Sequence, residues 1–329
     1  MKIKGVFVFL LVSCLLSLVS NVVEAQFGQF GKNNVRYSQL DQFYESFRFD
    51  IWHNLDTSDP VQKEYLEMII ANLENARDWM GGQQIYDHTI EKRIPVFLYK
   101  THTDMESSNL VGGFLPEGVG AFAEPERKRM ALRADFSKPL SRAIGVHELA
   151  HEFQFDIWSP GIWDNLNPLM PVRINRRRPQ WFYEGGAEFI ASLYEPHTRG
   201  DIRRDDQRIT SSDRHFIPTW EALNLEQVNP YSGGAMVFEF LQEKFDVGAA
   251  FQIQGFKQSR VELGELLYDL TEGELGNPDA NSEKFNQAIT RFWMDKYGDE
   301  FNARPKPDEK NDNFEGRLIM PWGHSAPMS

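Results

Sequence analysis

The amino-acid sequence predicts an α+β fold in which a mixed β-sheet lies on one side and a helical lobe on the other. Two observations predict it. Segments with the patterns of strands come first in the chain, and segments with helical periodicity dominate from residue 180 onward. The chain has 329 residues, of which 41% are hydrophobic, which is enough for a large core. We therefore expect one domain over residues 26–303, with a β-rich lobe at about 35–156 and a helical lobe at about 157–303.

Local patterns predict the elements of the β-rich lobe. Apolar and polar residues alternate over Ser46–Asn54, as in a half-buried strand. A helix follows over Pro60–Gly81, because Asp59 is a suitable N-cap and proline is favoured in the first turn. Its apolar residues recur at helical spacing: Val61, Tyr65, Met68, Ile69 and Leu73. Arg93–Thr101 is apolar enough for a central strand, and Val119–Ala134 reads as two short strands.

Helical periodicity predicts the second half of the domain. The pattern over Leu140–Phe155 predicts a helix, which is the last element of the expected β-rich lobe. Further helices are expected at 180–194, 230–245, 247–258, 261–271 and 281–297. Residues 304–329 are polar and proline-containing, which is typical of a tail or linker.

The N-terminus reads as a targeting segment. Lys2 and Lys4 precede an apolar run over Gly5–Ser20, and Val23–Ala25 offers the small residues of a cleavage site. This pattern predicts a signal peptide over residues 1–25 and a secreted or periplasmic protein. Two alternatives stay open: an uncleaved anchor, for which the run is short, and a lipoprotein attached at Cys14. If residues 1–25 are removed, the only cysteine is lost with them, so no disulfide remains.

The charge of the chain limits its partners. The formal net charge is −13 at pH 7. Such an acidic surface argues against nucleic acid or an anionic membrane as the main partner.

The stretch GVHELAHEF, residues 145–153, carries the strongest chemical signal. His147 and His151 are four residues apart on a predicted helix, so both imidazoles face the same side and suit one metal ion. Glu148 lies about 100° around the helix from His147, where it can reach a metal-bound water without being a ligand. The opposite face is apolar: Val146, Leu149, Ala150 and Phe153. The alternative is a chance pattern, which average residue frequencies give in about 1% of chains of this length.

A second helix supplies a candidate for the third ligand. In WFYEGGAEF, residues 181–189, Glu184 and Glu188 are one helical turn apart beside a strongly apolar face. We expect Glu184 to be the third zinc ligand, and Glu188 to accept the outer N–H of a ligand histidine. Gly185 and Gly186 would let another backbone approach closely. The alternative is a pair of solvent-facing glutamates on an amphipathic helix.

These two motifs together resemble the glutamate-zincins, the thermolysin- and aminopeptidase-like metallopeptidases. A closer resemblance is to the peptidase-MA-like domain that precedes the propeller in some secreted TolB-like β-propeller proteins. It rests on FGQFGKNNVRYSQLDQ, FRFDIWHN, IPVFLYKTHTDMESSNLV, HELAHEFQFDI, WFYEGGAEFIA and NPYSGGAMVFEFLQEKF, and it covers most of residues 27–300. The resemblance implies a zincin fold, one catalytic zinc ion and peptide-bond hydrolysis.

The resemblance also assigns roles to residues. It implies His147, His151 and Glu184 as zinc ligands and Glu148 as the general base. Tyr231 is the candidate donor to the oxyanion, because related enzymes use a tyrosine from the helical lobe; the alternative is a packing tyrosine. His215 is a weaker candidate for the same role. The implied substrate is a peptide or protein, and a β-propeller partner is either absent or supplied by another chain.

Two further segments and one rival function remain open at this level. Gly118–Phe122 is either a sheet edge that pairs with an extended peptide or an ordinary hairpin arm. Arg173, Arg176, Arg177 and Arg178 either hold a substrate carboxylate or form a solvated loop. The rival function is a catalytically idle module that uses the cleft to bind a partner. Hydrolysis of a non-peptide amide is a third hypothesis, and the oligomeric state is undetermined.

Overall fold

The computed structural model describes residues 40–82, 85–108, 120–124, 128–157, 178–194, 217–225, 227–258 and 261–302. The predicted signal peptide, Cys14, His215 and the polar tail lie outside these ranges. The expected α+β class is confirmed, and so is a mixed sheet. None of the helices in the described ranges has both the length and the apolar character needed to cross a membrane.

The sheet has five strands in the order β1-β2-β3-β5-β4. They are β1 (Gln42–Glu45), β2 (Phe49–His53), β3 (Ile94–Tyr99), β4 (Ala121–Glu124) and β5 (Arg129–Arg133). The three central strands are parallel, while β1 and β4 run antiparallel at the two edges. The four strands predicted from the sequence are confirmed. β1 was not expected, because its four residues are half-buried or exposed and carry no hydrophobic alternation.

The helices follow the predicted periodicity with few exceptions. They are α1 (Pro60–Gly81), α2 (His102–Ser107), α3 (Lys138–Ile157), α4 (Gln180–Tyr194), α5 (Trp220–Asn224), α6 (Pro230–Phe245), α7 (Gly248–Lys257), α8 (Leu263–Leu270) and α9 (Glu283–Asn302). The backbone N–H of Val61 donates to Asp59 Oδ1 at 2.9 Å, which confirms the predicted N-cap of α1. Val61 itself is 67% exposed, so its expected place on the apolar face is wrong. The short α2 and α5 were not expected, because five or six residues show no periodicity.

Helix α3 lies at the centre of the molecule. It contacts α1, the β4–β5 hairpin and α4. Its predicted apolar face is buried in the main core: Val146, Leu149, Ala150 and Phe153. The position of the polar face of α3 is therefore fixed by a fully packed back face.

Glycines allow α4 and α6 to cross at close range. A Cβ atom added to Gly185 would collide with the backbone of Gly234, and one added to Gly234 would collide with the carbonyl oxygen of Trp181. The expected close approach at Gly185 is thus confirmed, and its partner is α6. Gly186 faces the side chain of Gln252 instead. This crossing brings the first turn of α6 next to α4.

Arg178 has a structural role that the sequence did not reveal. Its guanidinium is buried and donates to three backbone carbonyls, those of Gly255 at 2.8 Å, Gln258 at 2.8 Å and Val261 at 2.7 Å. It therefore ties the start of α4 to the C-terminal end of α7. Arg178 is therefore neither available to a substrate carboxylate nor part of a solvated loop, and both expectations are wrong for this residue. Arg173, Arg176 and Arg177 lie outside the described residues.

The glycine crossing predicts a large difference between two Gly→Ala substitutions. Gly185→Ala should lower the free energy of unfolding by about 1–3 kcal/mol, because neither backbone can move away without disturbing the core. Gly145→Ala in α3 is the matched control, since its new methyl group would meet Leu73 Cδ2 at 3.4 Å, an ordinary contact. It should be neutral or stabilise by up to about 1 kcal/mol. Urea unfolding measures both, and equal effects would contradict the crossing.

Candidate metal centre

Helices α3 and α4 bring three potential ligand atoms together. His147 Nε2 and His151 Nε2 are 3.1 Å apart. Glu184 Oε2 lies 3.3 Å from the first nitrogen and 3.2 Å from the second. All three residues are buried or nearly so. The atoms thus form an almost equilateral triangle.

The outer ring nitrogen of each histidine faces a hydrogen-bond acceptor. His147 Nδ1 is 3.2 Å from Glu188 Oε2, and His151 Nδ1 is 2.8 Å from Gln154 Oε1. A carboxylate or amide oxygen can only accept, so each Nδ1 carries the hydrogen and donates it. In the neutral histidines, both Nε2 atoms then present bare lone pairs toward each other and toward Glu184.

This arrangement fits a zinc ion. Three acceptor atoms that converge without a proton between them repel one another, and a cation at their centre removes the repulsion. Zinc binds histidine and carboxylate tetrahedrally at about 2.0–2.1 Å, which places neighbouring ligand atoms ~3.3 Å apart. The observed separations of 3.1, 3.2 and 3.3 Å agree with that value. The donor set and its spacing therefore suit the metal that the sequence implies.

The pKa shifts of His147 and Glu184 also indicate that positive charge is favoured in the cluster. Burial alone would lower the pKa of His147, but Glu184 and Glu188 outweigh it and raise this pKa well above its ordinary value. Burial would raise the pKa of Glu184, but His151 and His147 outweigh it, and this pKa falls well below its usual range. In the metal-free protein a proton on His147 thus takes over part of the role of a cation.

Glu148 and Tyr231 lie beside the cluster. Burial raises the pKa of Glu148 above its ordinary value, against the opposing effect of both histidines. The backbone N–H of Ala123 in β4 faces its carboxylate. The ring of Tyr231, in the first turn of α6, stacks on His147 with centroids 5.7 Å apart. Burial, Glu184 and Glu148 raise the pKa of Tyr231, so its hydroxyl stays protonated at neutral pH.

Two neighbours of the cluster were not singled out from the sequence. Gln154 is the acceptor for His151, and Glu152 is a buried carboxylate one turn beyond Glu148. Glu152 Oε1 has no hydrogen-bond partner within the described ranges. Burial, with further contributions from Glu148 and other nearby carboxylates, raises the pKa of Glu152 to about 8. The only sequence signal for either residue was a polar side chain at a helical position adjoining the apolar face.

Two further predicted features, the segment Gly118–Phe122 and His215, lie partly or wholly outside the described residues. β4, which contains Ala121 and Phe122, is both the arm of a hairpin with β5 and the edge strand of the described sheet. Gly118 lies outside the described residues, as does His215. Neither is therefore placed relative to the metal centre.

Comparison with known proteins adds no relative. Neither a protein-family model, a curated protein nor a solved structure matches this chain.

The pKa of Glu152 predicts a pH-dependent stability. Because the folded carboxyl holds its proton up to about pH 8 and an unfolded one loses it near pH 4.5, folding becomes progressively less favourable as the pH rises from about 4.5 to about 8, and the loss is complete above pH 8. In metal-free protein, Glu152→Gln should remove this loss and stabilise the fold at pH 8.5 by up to a few kcal/mol, relative to wild type. At pH 4.5 the two proteins should be similar.

Urea unfolding in the presence of a chelator at both pH values tests this. Glu67→Gln, at an exposed position of α1, controls for the loss of one negative charge. An equal stability difference between wild type and Glu152→Gln at the two pH values would contradict the prediction.

Proposed function

We propose that this chain is a secreted zinc-dependent metallopeptidase of the zincin fold that hydrolyses peptide bonds. The observation that carries the proposal is the triangle of potential ligand atoms from His147, His151 and Glu184, with a buried carboxylate, Glu148, beside it. The mixed sheet, the central helix α3 and the helical lobe support the same proposal. Its secreted location rests on the predicted signal peptide.

Each side chain has a role in this proposal. His147, His151 and Glu184 hold the metal, while Glu188 keeps the His147 ring oriented through Nδ1. When bound, zinc supplies Lewis acidity that makes a water molecule ionise near neutral pH. Three protein ligands would leave room at such an ion for a water molecule.

Glu148 is proposed as the general base and then the general acid. It is not part of the ligand triangle, yet its carboxylate lies within the electrostatic range of both ligand histidines. A pKa raised by burial brings a carboxyl closer to the working pH, which favours both accepting and returning a proton. Glu148 would take a proton from the attacking water and pass it to the leaving amine.

Tyr231 is proposed to stabilise the oxyanion. Its raised pKa keeps the phenol as a hydrogen-bond donor, and stacking on His147 fixes the ring next to the cluster. A preorganised donor of this kind stabilises the charge that develops on the scissile carbonyl oxygen.

The edge strand β4 is the proposed docking site for the peptide backbone. β4 pairs with β5 on one side only in the described sheet, and its residue Ala123 faces Glu148. An extended peptide that adds to this edge would run beside the strand whose Ala123 contacts the base. A peptide or protein is therefore the proposed substrate.

The first test separates catalysis from binding. Glu148→Gln should still bind one zinc ion, because Glu148 is not a ligand, but cleavage should fall about 10²–10⁴-fold. Zinc stoichiometry by elemental analysis and turnover of a fluorogenic peptide library measure the two properties. Glu67→Gln should match wild type in both. A wild-type protein that binds zinc but cleaves no peptide would favour the rival function, a binding module.

The second test concerns Tyr231. Tyr231→Phe keeps the stacked ring but removes the hydroxyl, so kcat should fall about 10²–10³-fold with little change in KM or zinc content. Tyr268→Phe on α8, where the ring is exposed, is the matched control and should behave as wild type. An unchanged kcat in Tyr231→Phe would leave this residue a packing role only.

A further inference from the structure

A single buried amide links the two helices that carry the ligands. Gln154 lies on α3, three residues after His151, and its side chain is fully buried. Its Oε1 accepts from His151 Nδ1 at 2.8 Å, and its Nε2 donates to the backbone carbonyl of Tyr183 in α4 at 3.1 Å. Tyr183 directly precedes the ligand Glu184 in the chain. The amide thus contacts one ligand and the backbone next to another.

The backbone carbonyl fixes which way the amide points. A carbonyl oxygen only accepts hydrogen bonds, so the NH₂ group of Gln154 must face Tyr183. The amide oxygen must then face His151. This oxygen in turn accepts only, so the hydrogen of His151 must be on Nδ1 and its Nε2 is left bare.

We propose that Gln154 is a positioning residue that selects the metal-binding tautomer of His151 and holds its ring in register with Glu184. This inference rests on the proposed zinc site and deepens it. His151 would otherwise be free to carry its hydrogen on Nε2, where it would point into the ligand triangle and oppose a metal. The carbonyl of Tyr183 fixes the orientation of the Gln154 amide, and the amide oxygen in turn fixes the hydrogen of His151 on Nδ1.

The neutral charge of Gln154 distinguishes it from Glu188. His147 is held by a carboxylate, and Glu184 already contributes a second negative charge. An amide at position 154 orients the second histidine without adding another negative charge to a site where Glu148, Glu184 and Glu188 already lie close together, which would be costly.

Three variants test the proposal. Gln154→Met keeps the approximate volume but removes both hydrogen bonds, so the dissociation constant for zinc should rise about 10–100-fold. Gln154→Glu keeps an oxygen acceptor for Nδ1, so its zinc affinity should lie much closer to that of the wild type, although the added buried charge and the lost donation to Tyr183 should lower its free energy of unfolding. Gln252→Met is the matched control, because Gln252 is also fully buried, on α7, and its amide has no partner within the described ranges. It should leave zinc affinity unchanged.

Two readouts decide the outcome. Competition with a chromophoric chelator gives zinc affinity, and long-range ¹H–¹⁵N correlation spectra give the position of the hydrogen on His151. In the metal-free wild type this hydrogen should be on Nδ1, and in Gln154→Met it should be distributed over both nitrogens. Unfolded variants would be recognised by circular dichroism.

The outcomes separate this inference from the proposed function. A wild type without zinc affinity would overturn the proposed function, and the tautomer populations in the metal-free protein would still decide the role of Gln154. If Gln154→Met binds zinc as tightly as the wild type does, the inference about Gln154 is overturned and the proposed function is not. If Gln154→Met does not fold, a hydrogen found on Nε2 of His151 in the metal-free wild type would overturn it.

Discussion

The mutual repulsion of three acceptor atoms is the constraint on which the rest of the site depends. His147 Nε2, His151 Nε2 and Glu184 Oε2 lie 3.1–3.3 Å apart, a spacing that is unfavourable unless positive charge lies between them. The metal-free protein meets this need with a proton, as the raised pKa of His147 indicates. In the proposed function a zinc ion would meet it with two positive charges. Zinc binding and proton release are therefore expected to be coupled.

The scaffold resists this repulsion from several sides. The apolar back face of α3 is buried in the core, so its histidines cannot withdraw. The crossing of α4 and α6 at Gly185 and Gly234 holds Glu184 and Tyr231 against α3. Glu188 and Gln154 fix the two imidazole rings, and Arg178 anchors the start of α4 through three carbonyls. A ligand set that repels itself is thus preorganised by packing and hydrogen bonds made elsewhere.

The sequence predicted those features whose signal is local. The Asp59 cap, the periodicity of α3 and the spacing of His147, Glu148 and His151 each lie within a few residues of one another. Glu184 was predicted because carboxylates beside an apolar helical face need a partner. The strand order, the role of Arg178 and the function of Gln154 were not predictable, because each depends on a backbone group brought close by tertiary packing. For Arg178, a run of basic residues in the sequence predicts exposure to solvent. In the structure its guanidinium is buried and donates to three backbone carbonyls.

The two buried carboxylates of α3 bear on whether the site is catalytic. Glu148 and Glu152 lie one turn apart, and burial raises the pKa of both, so each ionised form carries a cost in stability. A module that only binds a metal or a partner peptide needs the three ligands and their hydrogen-bonding neighbours, but it gains nothing from Glu148. A hydrolase needs a carboxylate at that place, with a pKa shifted toward the working pH. The proposed reaction therefore gives buried Glu148 a role as the base, whereas Glu152 has no role in it and adds its cost without one.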